Sequence, residues 1–97
     1  MAMFVGIGTV ELRLYDLDTL RAKTSLIRKI MRRTRDKFPI SMCEVEMQED
    51  IEQSVIGFSS VGTHESATGT LMNHVIEFIE SLHLANVMSA DFTVEGF

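Results

Sequence analysis

Apolar and polar residues alternate through Val10, Glu11, Leu12, Arg13, Leu14 and Tyr15, the period of a strand with one face buried. A first strand is therefore expected from Met3 to Tyr15. Upstream, Val5 and Ile7 have the opposite parity, with Gly6 and Gly8 at the change of phase. That pattern predicts a bulge at the glycines. After Asp18 or Thr19, either of which can cap a helix, the period lengthens. Leu20, Leu26, Ile27, Ile30, Met31 and Phe38 gather into an arc of about 140° on a helical wheel. The helix is expected to run to about Lys37, and Pro39 ends it by forcing the preceding residue out of the α region.

Two short strands follow, Ile40 to Met47 and Ser54 to Val61, joined by an acidic hairpin loop over Gln48 to Glu52. The facing of the first is ambiguous: Ile40 and Met42 lie on one side, Cys43, Val45 and Met47 on the other. A second helix is expected over Ser66 to His83, burying Leu71, Val75, Phe78, Ile79 and Leu82. A last strand, Val87 to Glu95, is expected to turn Met88, Ala90, Phe92 and Val94 inward. The order strand, helix, strand, strand, helix, strand implies an α+β, ferredoxin-like βαββαβ sandwich. Its four-stranded antiparallel sheet carries two helices on one face, and the other face is left for water, a partner or a ligand.

The chain has 97 residues, one domain's worth, 1–97, and enough apolar surface for a core without staples. A lone cysteine, Cys43, permits no internal disulfide. No basic leader and no apolar run of about 20 residues occurs, so neither export nor membrane insertion is expected, and the location implied is the cytoplasm.

Charge changes the picture most. The net charge is −5, yet all nine Lys and Arg lie between positions 13 and 37. Residues 21 to 37 hold eight of them against one acid, Asp36, a net of +7; residues 38 to 97 hold ten acids and no Lys or Arg. On the first helix Arg21, Arg28, Arg32 and Arg35 fall within about 60° of each other along roughly 21 Å of axis. Lys29 and Arg33 widen the band, while Lys23 and Lys37 flank the apolar arc and are expected to snorkel over core edges. An ordinary surface helix intersperses acids to relieve such repulsion. Arginine forks match phosphate oxygens in pairs, so the stripe points to RNA or a ribosomal component, read through its backbone and not its bases. The competing reading is an acidic protein surface, including a second copy of this chain, with Glu44, Glu46, Glu49, Asp50 and Glu52 meeting the basic helix of a homodimer partner.

Chemistry of other kinds finds little support. Ile56-Gly57-Phe58-Ser59-Ser60-Val61 carries the Gly, Phe and Val of an RNA-stacking strand, but Ser60 stands where a second aromatic belongs. Phe58 is therefore expected in the core. The phosphate-cradling loop and arginine of an acylphosphatase are missing from Met3 to Val10. His64, His74 and His83 have no metal-ligand spacing, and His83 is placed to complement a helix dipole. Cys43 reads as a small buried hydrophobe. Glu44 and Glu46 share one strand face without a recognisable pocket. No catalytic residue, cofactor, metal or small-molecule substrate is inferred.

Thr19-Leu20-Arg21-Ala22-Lys23, Leu26-Ile27-Arg28, Arg33-Thr34-Arg35, Lys37-Phe38, Ile40-Ser41-Met42-Cys43-Glu44-Val45, Asp50-Ile51-Glu52-Gln53 and Ile56-Gly57 together resemble the YlxP-like family of small bacterial proteins, a domain of unknown function. The resemblance spans the chain and is specific between about residues 19 and 57. It implies a ferredoxin-like fold and no established activity; members tend to be encoded beside ribosome-assembly and translation factors, which favours association with RNA or the ribosome. Glu52 stands for a typical Trp, Ser54 and Thr24 for typical Arg, and Tyr15 for a typical Pro. The expected function is that of a non-enzymatic RNA- or ribosome-associated protein.

Overall fold

The structure is a computed structural model describing residues 2–97. β1 (Phe4–Arg13), α1 (Leu20–Lys37), β2 (Ser41–Glu46), β3 (Gln53–Gly62), α2 (Glu65–Ser81) and β4 (Asn86–Gly96) follow in the expected order. The sheet is antiparallel with spatial order β2-β3-β1-β4, and both helices cover one face, α1 beside edge strand β2 and α2 across β4, β1 and β3. This is the ferredoxin-like α+β arrangement.

Thr19 is the N-cap of α1; its hydroxyl accepts from the Ala22 N–H at 3.1 Å. Phe38 closes the helix, donating to the Thr34 carbonyl, and Pro39 follows. The core joins Val10, Leu12 and Leu14, then Ile27 and Ile30 of α1, Ile56 and Phe58 of β3, and Met72, Val75 and Ile79 of α2. Phe58 is buried, as its sequence context predicts.

Several facings differ from the pattern-based expectation, each for a definable reason. No bulge occurs at Gly6 and Gly8: β1 pairs with β3 in unbroken register from Phe4↔Gly62 to Arg13↔Gln53. The glycines sit on the helix-covered face, and a Cβ on Gly8 would come within 2.8 Å of the Phe58 ring and 2.9 Å of the Asp91 carbonyl. Val5 and Ile7 therefore point to the uncovered face. The register shift lies instead at Glu11/Leu12 against β4, where Glu11 pairs with Ser89 and Leu12 with Val87. Met88 is the extra residue, so Val87 turns inward and Met88, expected inside, is 57% exposed. A second shift, at Glu44/Glu46, separates two acids expected on one face. Glu44 faces the helices across from Ile56; Glu46 pairs with Val55 and faces out. The same strand presents Cys43 to solvent instead of burying it. In α2 the buried line is Thr68, Met72, Val75 and Ile79, leaving Leu71 and Phe78 half-buried.

Candidate nucleic-acid interface

The buried residues of α1 are Lys23, Ile27, Ile30 and Thr34. On the wheel they centre near 310°, with Leu20 at zero, so the opposite, solvent direction lies near 130°. Arg21, Arg28, Arg32 and Arg35 lie at about 60° to 120° on that scale, and all four are exposed. The helix thus turns its arginine stripe away from the sheet. Arg33 is exposed on the flank; Lys29 is half-buried and contributes less free surface than the sequence suggested.

Ion pairs within 4.0 Å among the described residues are Arg13–Glu52 and Lys23–Glu44. None involves the stripe, and Asp36, four residues beyond Arg32, joins neither. The last turn carries Arg35 and Lys37, where the negative end of the helix dipole offsets part of their repulsion. Lys37 lies 4.9 Å from the centroid of the Phe78 ring, which in turn meets Phe38 edge to face. That contact agrees with its expected place at the core margin.

Lys23 departs from the expectation. It does not snorkel: its side chain is 1% exposed, 3.1 Å from the Glu44 carboxylate, and its Nζ also donates to the Met47 carbonyl. The Ser54 hydroxyl donates to Glu44 at 2.5 Å. Lys23 therefore ties α1 to β2 and the hairpin, and takes no part in the exposed stripe. It also engages Glu44, one of the acids offered as a docking surface for a second copy. A signal existed: on the wheel Lys23 falls near 300°, inside the apolar arc between Ile30 and Ile27.

The other face of the sheet is uncovered. Its rows run Val61–Val5–Glu95, Ser41–Ser59–Ile7–Thr93, Cys43–Gly57–Thr9–Asp91 and Glu46–Val55–Glu11–Ser89. Ile7 and Val61 are 53% and 68% exposed. A hollow of about 170 Å³ opens over Val55, with Met47, Met88, Glu11, Glu46 and Arg13 in its lining. The open face was expected from the sequence, but the hollow was not, because both bulges that build it are invisible to a period-two pattern.

A ferredoxin-like α+β protein with one outward arginine-bearing helix and an open sheet face is the class these features define. Residues 5–92 match the model of the family described as Protein of unknown function (DUF503), and the chain belongs to that family. The match agrees with the YlxP-like resemblance carried by residues 19 to 57. A relative, the "Uncharacterized protein YlxP" of Bacillus subtilis (strain 168), is 26% identical over 77 residues, covering 79% of this chain and 84% of that protein. Among solved structures, the de novo designed protein Foldit4 aligns with a TM-score of 0.47 at 10% identity, over 100% of this chain and 97% of its own. A structural-genomics protein, YJCS, aligns at 0.44 and 15% identity, over 92% and 96%. Among the described residues no helix is long and apolar enough to cross a membrane.

Proposed function

We propose that this is a non-enzymatic, cytoplasmic RNA-associated protein, ribosomal RNA included among its candidate targets, and that the outward face of α1 binds the phosphate backbone. Arg21, Arg28, Arg32 and Arg35 are the principal contacts, with Arg33 and the partly covered Lys29 assisting. The observation that carries the reading is the stripe itself: four exposed arginines on one helix face, without a carboxylate partner among the described residues. Like charges at this spacing destabilise a free helix, whereas phosphates at polyelectrolyte density would relieve them and release counterions. The sheet is a poor alternative for RNA, since Phe58 is buried and four carboxylates stand on the open face.

Fluorescence anisotropy with a labelled RNA of about 20 nucleotides, titrated across salt, tests the reading. Four to six phosphate contacts predict a log–log slope of roughly −3 to −5. Arg28→Glu/Arg32→Glu is expected to lower affinity at least tenfold. A flat salt dependence, or unchanged binding by that variant, refutes the proposal.

A further inference from the structure

The open sheet face presents apolar side chains and carboxylates side by side. It exposes large apolar side chains, Ile7, Val61 and Met88 among them, and it carries four carboxylates, Glu11, Glu46, Asp91 and Glu95, on residues whose pairing places them outward. Its cation is Arg13, already 3.6 Å from Glu52 and stacked over Tyr15. Such a face repels phosphate and would desolvate its acids against a purely apolar partner. It suits a segment that brings long aliphatic stems ending in positive charge.

The spacing narrows the choice. Glu11 and Glu46 flank Val55 in one row, and Glu95 lies six residues along β1, level with Val5. At about 3.4 Å per residue this sets the acids over roughly 20 Å, and Asp91 falls between. The arginine stripe of α1 spans roughly 21 Å. The hollow over Val55, walled by Met47 and Met88 between two carboxylates and lined also by Arg13, whose charge Glu52 offsets, has the form of a socket for one arginine: apolar sides for the stem, acids for the guanidinium. Within one molecule α1 cannot reach it, because the helix lies against the opposite face of the sheet. All nine Lys and Arg of the chain fall between positions 13 and 37, so a second copy presents the complementary surface in concentrated form.

We infer that the open sheet face docks helix α1 of a second copy of this chain. The contact is heterologous, helix of one copy on sheet of the next, so it propagates as a chain of molecules or closes into a ring. A face of four strands and about nine residues offers roughly 600 Å² per partner, at the low end for specific interfaces. The association should therefore be weak and strongly salt-sensitive. It does not depend on the RNA reading, and its test contains no nucleic acid.

Sedimentation at 20 mM and 500 mM salt provides that test, with circular dichroism confirming that each variant is folded. Wild-type protein is expected to form species heavier than the 10.9 kDa monomer at low salt and to dissociate at high salt. Glu11→Lys/Glu46→Lys, which spoils the socket, and Arg28→Glu/Arg32→Glu, which spoils the stripe, should each be monomeric. Mixed one to one, they should assemble again, because one supplies an intact helix and the other an intact sheet. A monomeric wild type at low salt, a stripe variant that still associates (as a symmetric sheet-to-sheet dimer would), or a mixture that stays monomeric each overturns the inference.

Discussion

Lys23 is the residue whose chemistry most governs local order. Its ammonium is buried with Glu44, and the pair is completed by the Ser54 hydroxyl and the Met47 carbonyl. Met47 sits at a φ of 62°, a region that costs a non-glycine residue about 1–2 kcal/mol. The bond to its carbonyl helps hold that turn. Lys23→Ala leaves Glu44 facing the core unpaired and is expected to destabilise by about 3 kcal/mol, the lower end for buried pairs because Glu44 retains some water contact. Lys23→Met/Glu44→Leu/Ser54→Ala removes the whole network and should recover most of that loss; urea denaturation of both variants checks the pair of expectations. Two other residues meet at one cation: Tyr15 and Glu52 both contact Arg13. Lys23 was legible in the sequence, with Lys37 near 260°, as one of two cations inside the apolar arc. Its partner was not, since Glu44 is 21 positions away and its facing depends on the β2 bulge.

At the scale of elements, strand and helix identities followed the periodicity closely, while facings failed where a backbone irregularity intervened. One inserted residue reverses every side chain beyond it. Met88 and Glu46 were misplaced for that reason, and their reversal builds the hollow over Val55. The glycines of β1 carry the opposite lesson. They looked like a phase break but are core positions kept small by neighbours. Gly8→Ala is expected to cost about 1–3 kcal/mol, because the Asp91 backbone cannot move aside as a flexible side chain could. Gly69→Ala in α2 should instead stabilise by about 1 kcal/mol: the new methyl would lie 3.9 Å from Val94, in ordinary contact, and replaces the poorest helix former after proline. Thermal unfolding of the two variants should move in opposite directions.

Considered whole, the molecule is electrically two-sided. Helix α1 carries its free cations outward on one side of the sheet, and four of the acids stand on the other. RNA and a second copy would compete for the same stripe, and one stripe cannot serve both at once. Excess RNA of about 20 nucleotides should therefore disperse the low-salt assembly into complexes holding one protein chain each, as read by sedimentation of labelled protein. Complexes holding several chains would show that docking on the sheet leaves the stripe free.

The sequence by itself determined the element order, the ferredoxin-like topology, the end of α1 at Pro39 and the outward arginine stripe, because these depend on local periodicity, capping and charge spacing along a single helix. Only the tertiary structure decided which side each edge residue faces, that Lys23 is a buried partner of Glu44, and that Glu11, Glu46, Asp91 and Glu95 share one surface. Those facts depend on strand register, and register is set by pairing between residues far apart in the chain, with bulges that a one-dimensional pattern does not display.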